Sequence, residues 1–232
     1  MKPPHAYIGE LKPVEKTHFD NAKLTFFELL NILKQKQMIR LGPPHNQIKR
    51  LIFLWEQSNL FSKVHNATVN VFMTKNLESF IDKNIEYGFT EDIIANAMFL
   101  QIIGTFIFDL ETIIKTSLIF FLNEKKGIRK KTTLTPLIIK IKKIAPEIGS
   151  KFEGLLDIEL RNSIAHGAIW YDPELRKVCL AENSYLDEII KIGFDDFWIR
   201  VKKQNIYALA FIEVLWRKFE EGFFKLPLDN ER

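Results

Sequence analysis

From Ile93 to Phe108 the chain carries no charged side chain, and apolar character continues to about Leu122. A segment of this kind has to leave water, either for a protein core or for a bilayer. The uncharged run falls short of the roughly 20 residues that span a bilayer. It also leads directly into Asp109, Glu111 and Lys115. The expectation is a long central helix buried in a helical domain. Thr90, Glu91 and Asp92 mark its start, with a hydroxyl at the N-cap position and acidic groups that complement the helix dipole.

The rest of the chain supplies partners for that helix. Of 232 residues 47% are hydrophobic and 20 are Phe, enough for a substantial core, and 27% are charged, enough for a solvated exterior. Leu24, Phe27, Leu30, Ile32 and Leu33 recur at three- and four-residue steps and predict an amphipathic helix from about His18 to Ile39. Gly42-Pro43-Pro44 breaks the pattern, and a short helix is expected to begin at Leu51–Trp55. Residues Ser62 to Tyr87 read as helical despite several β-branched positions, with Gly88 closing the segment. Asn123–Lys131 reads as a polar loop and Leu134–Ile144 as an apolar and basic helix. Ala145-Pro146 is an interruption, after which Pro146–Ser150 leads into one further helix.

Beyond Gly167 the pattern changes. Ala168-Ile169-Trp170-Tyr171, then Asp172-Pro173-Glu174, then Lys177-Val178-Cys179-Leu180 predict a small β-hairpin, and Ser184–Lys203 and Ile206–Phe224 predict two closing helices. The fold class expected is all-α: a helical bundle forming one domain over residues 1–232, with an N-terminal helical extension over 1–61 and one hairpin.

A formal charge of +4 permits a nucleic-acid partner without requiring one. Cys179 is the single cysteine, so neither an intrachain disulfide nor a cysteine-rich zinc site can form. His5, His18, His45 and His65 offer no pair at metal-ligand spacing, and each reads as a surface or capping residue. No metal and no cofactor is expected. Met1-Lys2-Pro3-Pro4-His5 lacks the apolar stretch of a secretory signal, so a cytoplasmic protein without a membrane partner is expected. Glycine-rich phosphate loops and a nucleophile elbow are absent from the sequence.

The run Arg161-Asn162-Ser163-Ile164-Ala165-His166-Gly167 carries the chemistry. Phe152, Leu155, Leu156, Leu160 and Ile164 mark the buried face of the helix before it, and Gly167 stands where a left-handed residue would end that helix. Asn162 and His166, at i and i+4, share a face, while Arg161 is offset from His166 by about 140°, an angle its long side chain can bridge. A cation, an amide and an imidazole are thus gathered at a helix C-terminus. RNA can be cut without metal when its own 2′-hydroxyl attacks the adjacent phosphorus. That step needs a proton taken, a proton given to the 5′-oxygen and the developing charge stabilised. An imidazole titrates near neutral pH, and the helix dipole favours its cationic form, which suits His166 to proton transfer. Arg161 can clamp a phosphate through two parallel donors, and Asn162 can orient a nonbridging oxygen or hold His166 in the needed tautomer. The competing reading makes His166 a capping residue and Arg161 a surface ion-pair partner. One histidine per motif leaves a single chain without a second titrating group, which a symmetric dimer would provide.

Arg161 to His166 resembles the R-x(4–6)-H signature of the HEPN superfamily, with Asn162 in the polar position that often follows the arginine. Asp109-Leu110-Glu111, on the long apolar helix upstream, resembles the acidic position many members carry. The resemblance spans roughly residues 65–225. It implies a bundle of about four core helices and a homodimer that joins two motifs in one composite site. It also implies metal-independent endoribonuclease activity in toxin, abortive-infection or antiviral defence systems, with a cognate antitoxin as a possible partner. Arg161, His166 and Asn162 are then the catalytic residues, supported by Glu111 and Asp109. The alternative is a noncatalytic module of the same fold that binds RNA, nucleotide or a partner protein.

Lys125, Lys126, Arg129, Lys130, Lys131, Lys140, Lys142 and Lys143 fall within one stretch that has no acidic residue. The stretch is either a nonspecific phosphate contact surface, with Lys130, Lys131, Lys140, Lys142 and Lys143 as RNA-binding candidates, or a solvated loop and helix face. Trp170 and Tyr171 either stack on an unpaired base, Tyr171 being the candidate, or pack the hairpin against the bundle.

Overall fold

The structure, a computed structural model, describes residues 4–39, 49–56, 91–122, 133–172, 174–175, 177–181 and 189–222. It is mostly helical, with a small antiparallel sheet. The expected helix over Ser62–Tyr87, the Gly42-Pro43-Pro44 break, Thr90 and the polar loop at Asn123–Lys131 lie outside the described residues. The chain divides into two compact units, one of Met1–Glu56, Phe108–Leu156 and Lys203–Arg232, the other of Gln57–Ile107 and Asp157–Lys202.

The first unit opens with a single turn, α1 (His5–Ile8), and the long helix α2 (Pro13–Gln35). Pro13 stands at N1, where its missing N–H costs nothing, and the Glu15 carboxylate accepts the Lys12 N–H at 2.8 Å. The helix therefore begins ahead of His18, where the apolar periodicity alone would start it. Residues 49–56 form α3. Tyr7 of α1 lies edge-on to Trp55, with ring centroids 5.0 Å apart, and donates to the Glu56 carboxylate. Burial, helped by that bond, pushes the Tyr7 phenol up to about 12.

The expected long apolar helix is present as three consecutive segments. It runs as α4 (Glu91–Ile107) in the second unit, then as a π-helical stretch over Phe108–Lys115 and as α5 (Thr116–Phe121) in the first. Just beyond the π stretch the hydroxyl of Thr116, the first residue of α5, donates back to the Glu111 carbonyl at 2.7 Å. Helices α6 (Leu134–Ile144) and α7 (Pro146–Leu155) follow, with the predicted interruption at Ala145 between them. They pack so closely that a Cβ on Gly149 would stand 2.8 Å from the Lys142 Cα. Phe26 of α2 is the hub of this unit's core, with its ring 5.9 Å from Phe152 of α7 and 5.0 Å from Phe211.

Three expectations for the chain beyond α7 are corrected. The helix leading into the motif is interrupted: α7 stops at Leu155, and a separate two-turn helix, α8 (Ile158–Ala165), carries Arg161 and Asn162. The reason is Asp157, whose carboxylate takes the Leu160 N–H at 3.1 Å and so starts a new helix instead of extending the old one. The expected hairpin is two strands of a three-stranded sheet, β1 (Ile169–Asp172), β2 (Lys177–Ala181) and β3 (Ile189–Gly193), in the order β1-β2-β3. Ile189, Ile190 and Ile192, expected within a helix, pair with β2 instead, because β-branched side chains suit the pleat and β2 has an open edge to offer. Finally, the two closing helices are one, α9 (Phe194–Glu220), without a break near Gln204. Residues 178–181 of β2 are all buried, as befits the central strand, and Phe99 of α4 meets Tyr171 of β1 and Phe197 of α9 at centroid distances of 6.4 and 5.5 Å.

Candidate functional site

Helix α8 ends in a Schellman turn. His166 is the C-cap, Gly167 follows with φ of 66°, the Gly167 N–H bonds the Ile164 carbonyl at 3.1 Å, and the Ala168 N–H bonds the Ser163 carbonyl at 2.7 Å. The left-handed glycine reverses the chain and sends it straight into β1. His166 is exposed, while Arg161 and Asn162 are half-buried. The Arg161 Nη1 donates to the Asn162 Oδ1 at 3.2 Å, and the Asn162 carbonyl accepts the His166 N–H at 3.0 Å. The Arg161 and Asn162 side chains are thus joined to each other at the carbonyl end of the helix, and His166, whose bond to Asn162 is made by its backbone, follows as the exposed C-cap.

The end of α8 is fastened to the sheet. Ser163, only 1% exposed, shares its hydroxyl hydrogen between the Glu159 carbonyl at 3.1 Å and the Ala181 carbonyl of β2 at 2.9 Å. The Ala181 N–H in turn donates to the Ala168 carbonyl at 2.8 Å. The N-terminal end is held by Asp157, which caps the helix and receives the guanidinium of Arg200 from α9. Sequence reasoning passed over Asp157, Ser163 and Arg200. An aspartate followed two residues later by Glu159 is a readable helix start, but no local signal points to Arg200.

Other candidate residues have partners of their own. Asp109, fully buried, accepts the Asn205 Nδ2 at 2.9 Å, and the Asn205 carbonyl accepts the Trp55 indole at 3.3 Å. Glu111 pairs with Lys115, one turn away. Both belong to the first unit, while Arg161 and His166 belong to the second. Of the basic stretch, Lys130 and Lys131 lie outside the described residues. Lys142 pairs with Glu153 at 2.6 Å, Lys140 is half-buried and Lys143 is exposed. Tyr171 packs its ring against Phe99 and edge-on to Phe194, 5.8 Å away, which favours the packing role over a stacking one.

Among the described residues no three His, Cys, Asp or Glu side chains gather as metal ligands, and no helix is long and apolar enough to cross a membrane. No protein-family model matches the chain, and no curated protein or solved structure shows significant similarity to it.

Proposed function

We propose that the protein is a metal-independent endoribonuclease of HEPN type that acts as a homodimer in a toxin or antiviral defence role. The observation that carries the reading is the placement of Arg161, Asn162 and His166 at one end of α8, where the Arg161 guanidinium bonds the Asn162 side chain and His166 is the exposed C-cap. In the reaction an imidazole takes the proton of the 2′-hydroxyl while the 2′-oxygen attacks phosphorus. The bond from phosphorus to the 5′-oxygen breaks, and a second imidazole, from the partner copy, protonates the leaving oxygen. The products are a 2′,3′-cyclic phosphate and a 5′-hydroxyl. Arg161 neutralises the charge that develops on the nonbridging oxygens, and Asn162 sets the direction of the Arg161 fork.

The test is cleavage of varied RNAs in excess chelator by wild type and by His166→Ala. Because His166 is exposed at a helix cap, the substitution is expected to leave the fold intact. Cleavage should fall by about 10²-fold or more, the scale of general acid–base catalysis, and wild-type products should carry 2′,3′-cyclic ends. If wild type leaves RNA intact, or His166→Ala cleaves as well as wild type, the reading is lost. RNA binding that survives without cleavage would point to a noncatalytic module.

A further inference from the structure

Helix α8 has eight residues, fewer than an isolated helix needs to persist in water. On the reading proposed above, it and its C-cap nevertheless carry every side chain the reaction uses. Its C-terminal end is held by the Gly167 turn and by Ser163 on β2. Its N-terminal end is held by one carboxylate with two tasks. Asp157 Oδ1 accepts the Leu160 N–H at 3.1 Å, and the same group receives the fork of Arg200, from Nε to Oδ2 at 2.5 Å and from Nη2 to Oδ1. Nη2 also donates to Glu159 Oε2 at 2.8 Å, so the hydrogen bonds Arg200 makes among the described residues end on the cap and first turn of α8. The side chains of Arg200 and Asp157 are 25% and 20% exposed, which shields the pair from much of the screening that weakens surface ion pairs.

The geometry points to Arg200 as a positioning residue: its fork on Asp157 fixes the entry end of α8, and with it the placement of Arg161, Asn162 and His166 on the RNA phosphate. This rests on the endoribonuclease reading. A planar fork on a carboxylate sets direction as well as distance, which a lysine ammonium cannot do. Direction matters here because α8 has only two turns: with its C-terminal end fastened to β2, a tilt at Asp157 turns the helix about that anchor and re-aims Arg161, Asn162 and His166 relative to their target. A displacement of about 1 Å in a catalytic group costs on the order of 10²-fold in rate.

The test uses Arg200→Ala, Arg200→Lys, Asp157→Ser and the double variant Arg200→Ala/Asp157→Ser in the full chain. Serine keeps a capping oxygen while removing the charge. RNA cleavage and amide hydrogen exchange are followed together. Expected are a fall in kcat of about 10- to 100-fold with KM moved by less than about 3-fold. Residues 160–167 should lose exchange protection while α6 keeps its own. The double variant should be no worse than Arg200→Ala alone, which already breaks the contacts to both Asp157 and Glu159. Wild-type kcat and wild-type protection of α8 in Arg200→Ala, or additive losses in the double variant, would overturn the assignment. If wild type does not cleave RNA, the endoribonuclease reading fails while the exchange pattern still decides whether Arg200 holds α8. Should Arg200→Ala not fold, Arg200→Lys, which keeps the stem and the charge, carries the comparison.

Discussion

Gly167 bears a constraint no other residue type meets as cheaply. Its φ of 66° is the left-handed conformation, and a Cβ built on it would meet nothing within 4 Å. Space is therefore not the issue, and Gly167→Ala should lose only backbone energy, about 1–2 kcal/mol. Urea unfolding monitored by circular dichroism should show the midpoint lowered and the m-value unchanged. A loss several times larger would mean that the turn has packing partners the geometry does not show. Gly149 is the contrasting case, a helical glycine whose missing Cβ lets α6 and α7 touch. Two glycines in one chain are thus required for opposite reasons, one for its torsion and one for its size.

At the scale of elements, the short motif helix depends on contacts outside itself. Ser163 is the test of that dependence, because its buried hydroxyl joins α8 to the Ala181 carbonyl of β2. Ser163→Ala should cost about 1–2 kcal/mol, the penalty of leaving a buried carbonyl poorly satisfied. The loss should be visible in thermal unfolding, and faster exchange is expected in residues 160–167. A Ser163→Ala protein as stable as wild type would show that the Gly167 turn alone is enough to hold the helix end. The same dependence explains β3. Ile189, Ile190 and Ile192 suit a strand, but a strand exists only where another strand offers its hydrogen bonds, and β2 does so through five residue pairs from Lys177–Gly193 to Ala181–Ile189.

At the scale of the whole molecule, the proposed chemistry needs two imidazoles, and each motif contains one. The active species is then a dimer, and specific activity should fall on dilution as the dimer dissociates. Cleavage measured across a protein dilution series beside sedimentation should show activity tracking the dimer fraction. Constant specific activity in a sample that sediments as monomer would remove the composite site. The polar centre around Asp109 belongs to the same scale. A buried carboxylate is tolerated only with partners, and Asp109 finds Asn205 ninety-six residues away in the chain.

Much of the helical plan was legible in the chain. The uncharged run from Ile93, the Ala145-Pro146 interruption and the strand pattern after Gly167 each encode their element locally, through burial, proline geometry and β-branching. The helix α2 was legible too, but its buried face was not: of the positions read as its apolar stripe, Leu30 and Leu33 are buried while Leu24 and Phe27 are exposed, and Phe19, Ala22, Phe26 and Leu29 complete the face that packs. Gly167 likewise announced its own torsion, and Arg161, Asn162 and His166 could be placed at one helix end by counting. Only the tertiary structure decided where the motif helix begins, because Asp157 ends one helix and starts another with a partner from α9. It also decided that residues 189–193 form a strand, since a strand's stability lies in its neighbour, and that Lys142 and Glu111 already have partners of opposite charge. Arg200 could not be found from sequence at all: its role arises from a contact across forty-three residues, and long-range contacts leave no period in the chain that makes them.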